Sequence, residues 1–235
     1  MIRALALAAG LAAAASPAAA CRVALALALD VSASVDSGEY RMQLDGLAAA
    51  LNAPAVQAAL FSGGGPVAVA VYEWSGWEDQ RLLLDWTLVT GPDVLAGITA
   101  RLVSTGRERM SDSTALGQAM LSGGTLLGRA PGCLRHVLDV SGDGKNNDGP
   151  DPDMLDGDAA LLGVTVNALV IGNDGRRPGE LRAIEIGELA RYFETSVIRG
   201  PGAFVEVALG FADYERAMTR KLVRELAPAA MSALE

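Results

Sequence analysis

Five oxygen-bearing side chains stand where a hard cation could use them. Asp30-Val31-Ser32-Ala33-Ser34 sets a carboxylate and two hydroxyls at alternate positions, and in an extended or gently turning segment residues so spaced point the same way. Thr114, at the opening of a helical pattern, and Asp143, after an apolar run, add a third hydroxyl and a second carboxylate from two other turns. Hard divalent cations take oxygen ligands, and Mg2+ in particular keeps several waters and few direct carboxylates. Asp30, Ser32, Ser34, Thr114 and Asp143 are therefore the candidate metal ligands, with Mg2+ as the expected ion and Mn2+ or Ca2+ as alternatives. Each piece alone has an ordinary reading: a serine-rich turn after a strand, a helix N-cap at Thr114, a turn aspartate at Asp143.

Three separate turns meet only if the intervening elements bring them to one edge. Val23 to Leu29 (VALALAL) is continuously apolar, as a central parallel strand should be. Asp36-Ser37-Gly38-Glu39 reads as a capping box, followed by Tyr40, Leu44, Leu47 and Leu51 at helical spacing. Val67 to Trp74 and Val164 to Ile171 predict two more buried strands, Arg135 to Val140 another, and Leu82 to Trp86 a shorter one at an edge. Helices are expected over Pro92 to Leu102, from Leu116 through Leu127, over roughly Pro152 to Leu162 and Glu180 to Glu194, and along Phe211 to Leu226, with a last strand at Ala203 to Val207. Strand and helix alternate almost throughout, which predicts an α/β protein: a doubly wound, mostly parallel open sheet with helices on both faces. In such sheets the ligand site lies beyond the carboxyl ends of the strands, where all three polar turns would fall.

The order D-x-S-x-S, then a distant Thr, then a distant Asp after an apolar strand resembles the metal-ion-dependent adhesion site of von Willebrand factor A domains, and the order of elements fits that fold over essentially the whole chain beyond residue 20. A closer resemblance, carried by Asp30 to Asp36 with Glu39-Tyr40, Glu73-Trp74-Ser75, Asp139 to Gly144 with Asn146-Asn147, and Gly200 to Phe204, is to an uncharacterised group of exported bacterial A-like domain proteins. The wider resemblance implies that Ser32, Ser34 and Thr114 contact the metal directly while Asp30 and Asp143 act mostly through water. It implies a cation left electrophilic, seeking a Glu or Asp from a partner protein, and hence a binding module and not an enzyme. It also implies that partner binding is transmitted to the C-terminal helix. The enzymatic alternative is metal-assisted hydrolysis of an anionic substrate at the same site, with Asp30 as base or nucleophile.

The beginning of the chain reads as a separate unit. Arg3, an uncharged Ala- and Leu-rich run from Ala4 to Ala15, and Ala18-Ala19-Ala20 form the three parts of a secretory signal peptide over residues 1–20, leaving residues 21–235 as the exported domain, periplasmic or secreted. Its loss removes one of 19 basic residues and no acid, leaving 18 against 28 acidic ones. A chain this acidic repels phosphate backbones and excludes nucleic acid as the expected partner. No later apolar run reaches the ~18 residues of a membrane span. In an oxidising compartment Cys21 and Cys133 could pair. Cys21 is nine residues before Asp30 and Cys133 ten before Asp143, so parallel neighbouring strands with level aspartates would have nearly level cysteines. The alternative, a lipidated Cys21, has Ala18 where a lipobox prefers Leu and would leave Cys133 without a partner.

Other candidates are weaker. Asp148, Asp151, Asp153, Asp156 and Asp158 do not match the calcium-loop spacing and read as a solvated helix start capped by Asp151. His136 begins a strand and reads as packed. Trp74, Trp77 and Trp86 read mostly as core, with an exposed recognition patch as the alternative. With one histidine, no G-x-S-x-G elbow and no P-loop lysine, the sequence carries no hydrolase signature.

Overall fold

The computed structural model describes residues 21–172 and 180–227; the expected signal peptide lies outside them. In chain order the elements are β1 (Cys21–Asp30), α1 (Ser37–Asn52), α2 (Pro54–Phe61), β2 (Val67–Trp74), β3 (Gln80–Val89), α3 (Pro92–Ser104), α4 (Leu116–Leu127), β4 (Cys133–Gly142), β5 (Val164–Ile171), α5 (Glu180–Tyr192), β6 (Val205–Ala208) and α6 (Tyr214–Leu226). They build one six-stranded sheet in the order β3-β2-β1-β4-β5-β6, parallel except for β3 at the edge, with helices on both faces.

The alternation within β1 decides what packs on each face. Val23, Leu25, Leu27 and Leu29 project to one side and meet α1, α2, α3 and α6 in one hydrophobic cluster. Ala24, Ala26 and Ala28 project to the other, where their small side chains let α4 approach closely. A Cβ at Gly123 of α4 would lie 2.5 Å from Leu138 and 2.7 Å from the Tyr72 hydroxyl, which itself donates to the Ala119 carbonyl at 2.6 Å. Both faces of β1 are thus buried, which is why its run is apolar without a break. α1 starts at the expected capping box: the Asp36 carboxylate accepts from Gly38 and Glu39 N–H, and Glu39 accepts from Asp36 N–H at 2.8 Å.

Two expected elements differ. The helix expected over Pro152 to Leu162 is a pair of short 3-10 turns, Pro152–Leu155 and Ala159–Leu161. Gly157 between them has φ +79, a left-handed conformation that no helix continues through. Asp151 precedes the first turn without a side-chain cap; Asp158 caps the second by accepting from Ala160 N–H. The edge strand runs longer than its apolar centre, over Gln80–Val89.

A charged group missed from sequence sits beneath α6. Lys221, wholly buried, places Nζ 2.8 Å from Asp139 Oδ2 of β4 and also contacts Glu225, whose Oε1 accepts from Asn167 of β5. Burial, reinforced by repulsion from Glu225, pushes the Asp139 carboxyl up to about 7.

At the amino end of the sheet Cys21 pairs in register with Cys133 and the two form a disulfide, Cα to Cα 4.3 Å, across the central strand pair. It closes a loop of 112 residues, which in chain-entropy terms limits the unfolded state strongly. Reducing it, or the double change Cys21→Ser/Cys133→Ser, is expected to lower stability by about 2–5 kcal/mol. Melting with and without reductant checks this; equal melting temperatures would show that the crosslink does not stabilise the fold.

Candidate metal centre

The parallel register sets Leu29 level with Ser141, so Asp30 at the tip of β1 and Asp143 just past β4 emerge side by side at the carboxyl edge. With β2 on one side of β1 and β4 on the other, this edge is the point where the winding of the sheet reverses, the usual ligand crevice of such sheets. Asp30 is fully buried. Its Oδ1 accepts from Ser32 N–H at 2.9 Å, and its backbone carbonyl accepts from Gln43 Nε2 at 3.0 Å. Its Oδ2 has no hydrogen-bond partner among the described residues.

Ser32 and Ser34 present hydroxyls 3.3 Å apart, and Ser34 Oγ donates to Asp143 Oδ1 at 2.6 Å across 109 residues of sequence. The structure therefore brings Asp30, Ser32, Ser34 and Asp143 together. Thr114 lies beside the adjoining turn: a Cβ built at Gly144, the residue after Asp143, would be 3.8 Å from Thr114 Oγ1. Thr114 is buried and is not the N-cap of α4; that position is Ala115, without a side-chain cap. The expected alternative role for Thr114, capping, is thus not the one it plays. Asp143 in turn reaches across to the loop after β1 and does more than shape its own turn.

Electrostatics at this point are unfavourable without a cation. Burial, then repulsion from Asp143, pushes the Asp30 carboxyl up to about 7; burial also raises that of Asp143. Among the described residues no Lys or Arg forms an ion pair with either. Gly142 makes room for the carboxylate, since a Cβ there would sit 3.3 Å from Asp30 Oδ2 and from Phe193. An orphaned buried carboxylate oxygen beside a second carboxylate and two hydroxyls, with Thr114 on the adjoining turn, is a donor set that fits a hard divalent ion.

Residues beyond the five hold the turns in place. Arg107 donates to the carbonyls of Val31 (3.2 Å) and Val35 (2.6 Å), bracketing both serines. Asn147 Oδ1 accepts from Thr114 N–H at 2.8 Å and its own N–H donates to Thr114 O at 2.9 Å, while Asn146 Oδ1 accepts from Gly117 N–H. The Asn146-Asn147 pair was visible in the sequence; nothing in the spacing of Arg107 marked it. A groove of about 310 Å³ opens beside Asp143, with Lys145, Gly172, Arg182 and Leu189 in its lining.

Other sequence candidates fall away from this edge or apart from one another. Among the described residues no group of three or more His, Cys, Asp or Glu side chains gathers as a metal site. The acidic cluster disperses: Asp148 accepts from Trp77 N–H, Asp156 pairs with Arg199, Asp158 caps its turn. His136, half-buried, pairs with Ala24 and Val164 towards the opposite end of the strands. Trp74 is fully buried and Trp86 partly so, whereas Trp77 is exposed. No single helix among the described residues is long and apolar enough to cross a membrane.

Among solved structures the fold is shared with several proteins. Proximal thread matrix protein 1 from the mussel byssus, in a structure with a zinc-occupied MIDAS motif, matches with TM-score 0.55 at 17% identity, covering 88% of this chain and 48% of that one. A von Willebrand factor type A protein from Catenulispora acidiphila matches with TM-score 0.55 at 16% identity over 88% of this chain and 43% of that one. An aerotolerance-related membrane protein from Bacteroides fragilis matches with TM-score 0.52 at 16% identity, covering 86% and 99%. The chain thus spans less than half the length of the first two. No match was found among curated proteins. A family model described as "Protein of unknown function (DUF1194)" matches residues 20–230. The chain accordingly belongs to the DUF1194 family, on the α/β sheet of the von Willebrand factor A fold.

Proposed function

We propose that this is an exported binding module that holds one divalent cation, Mg2+ by preference, with Asp30, Ser32, Ser34, Thr114 and Asp143, and through it engages a Glu or Asp of a partner protein. The carrying observation is the buried Asp30 carboxylate, with one oxygen unpartnered and Asp143 at its side. The bound ion would supply a positive centre only partly neutralised by direct carboxylates, and so an affinity for an outside anion. The hydroxyls of Ser32, Ser34 and Thr114 would contact it, and Asp30 and Asp143 would hold its waters. Export is supported by the leader-like first 20 residues and by the disulfide.

Binding is favoured over catalysis by what the neighbouring groups already do. Ser141, the one serine in a turn-rich nucleophile-like setting, is buried against the Tyr214 hydroxyl at 3.5 Å. The lone histidine is at the far end of β4. Of the cations lining the adjacent groove, Arg182 donates to the Leu209 carbonyl and Lys145 lies over the Tyr192 ring.

Mg2+ at a hundred times its Kd should stabilise the mature protein by about 2.7 kcal/mol relative to chelator, seen as a rise in Tm. Ser32→Ala/Ser34→Ala should abolish that rise and, in pull-downs from envelope extract, the Mg2+-dependent capture of any partner. An unchanged melting curve with Mg2+, Mn2+ and Ca2+ alike would sink the reading.

The pH dependence in chelator follows from Asp30. Its folded form keeps the proton up to about 7 while the unfolded chain releases it near 3.8, so stability is fullest below the lower value and is lost as pH rises through the upper one. Tm should therefore fall between pH 5 and pH 8 in chelator. The fall should shrink in Asp30→Asn and under saturating Mg2+, leaving a residue of the same sign from Asp139. A wild-type Tm that rises over this range would contradict it.

A further inference from the structure

Trp77 is an exposed aromatic in the loop after β2, at the carboxyl edge. Just over half of its surface, 51%, faces water, whereas Trp74 is fully buried and the Trp86 indole donates to the Leu126 carbonyl. An isolated exposed indole needs no explanation by itself. The backbone that carries this one is anchored. The Trp77 main-chain N–H donates to Asp148 Oδ2 at 2.9 Å, and its main-chain carbonyl accepts from Gln80 Nε2. The turn below it is closed by Ser75 N–H to Asp79 O and Asp79 N–H to Gly76 O, and Asp79 Oδ2 accepts from Ser111 N–H. One side of the ring rests on Gly149, at φ +68, where a Cβ would lie 2.7 Å from Cε3. A residue with no side chain, in a conformation that favours glycine, is what lets the indole lie there.

The same contacts tie Trp77 to the cation-binding turns. Asp148 follows Asn147, which is bonded twice to Thr114, and Ser75 O accepts from Ala115 N–H at 2.7 Å. Two residue steps from Trp77 to Ser75, the Ser75–Ala115 hydrogen bond and one step to Thr114 join the two backbones, so the Cα atoms of Trp77 and Thr114 lie within about 18 Å of each other. A four-residue extended segment, about 13 Å long, falls within that reach. Tryptophan fixed in advance, beside a site that anchors a charge, is the residue type that dominates interface energetics.

We propose that Trp77 determines specificity at the candidate metal centre by receiving an apolar, preferably aromatic, side chain about four residues from the acidic residue that engages the cation. This rests on the metal-dependent reading above. The ligand is then a segment with an acid and a hydrophobic anchor at fixed spacing, and not any exposed carboxylate.

Three capped peptides test it by NMR titration of the mature, disulfide-bonded protein in Mg2+ and again in EDTA: one with a single Glu among Gly and Ser, one with Phe about four residues from that Glu, and one with Arg in place of the Phe. The Phe peptide should bind at least tenfold more tightly than the Glu-only peptide, and only in Mg2+. Trp77→Ala should remove that preference while leaving the weak Glu-only affinity and the Mg2+-induced rise in Tm intact, and Trp77→Phe should keep most of it. Equal Mg2+-dependent binding of the Glu-only and Phe peptides, a preference for the Arg peptide, or a preference that survives Trp77→Ala would overturn the role of Trp77 and leave the metal-binding reading standing. Binding of none of the peptides, or binding insensitive to EDTA, would overturn both.

Discussion

A carboxylate taken wholly out of water must keep its proton or face a positive charge, and the carboxyl edge of this sheet is organised around one that, among the described residues, has neither a hydrogen bond for its second oxygen nor an ion-pairing cationic side chain. Asp30 stands there because β1 is the central strand, buried on both faces to its last residue. Desolvation at such a position disfavours the ion strongly, and the nearby Asp143 adds to it. Proteins retain such a group chiefly where it serves a site. Gly142 beside it keeps open the space that a side chain would close.

The rim is assembled by long-range bonds between loops. Ser34 reaches Asp143, Asn147 is doubly bonded to Thr114, and Arg107 spans the carbonyls on both sides of the serine pair. Gln43 of α1 holds the Asp30 carbonyl from below. Polar groups that would otherwise be orphaned thereby satisfy one another, and the serine hydroxyls are held in fixed positions. This order comes from the elements: β1 and β4 end, and α4 begins, within reach of the same crevice.

Much of this was legible in the sequence, for identifiable reasons. β2 and β5 have the bounds their apolar runs predict, since a strand buried on both faces needs hydrophobic residues throughout and the flanking turns do not. The capping box at Asp36 and the level cysteines were readable because both depend on local spacing plus one simple register. The stretch from Pro152 to Leu161 was misread because Asp151-Pro152 signals a helix start, and only the left-handed Gly157 stops it after one turn. Lys221 escaped notice, although its place on the stripe of Tyr214, Ala217, Met218 and Leu222, and that of Asp139 inside the apolar run of β4, were clues: a charge within a buried pattern on two elements suggests a pair. Arg107 left no such trace, because its role is to bond backbone carbonyls, and these exist at every residue.

The buried ammonium has a mechanical meaning for the last helix. Lys221 is enclosed between α6 and the sheet with Asp139 on a strand and Glu225 one turn away on its own helix. Sliding α6 along its axis would draw the ammonium off the strand carboxylate while both remained out of water, and separating a buried pair in this way costs on the order of 3–5 kcal/mol. The helix behaves as a bolt shot into the sheet: a lengthwise shift of α6 has to withdraw that anchor first.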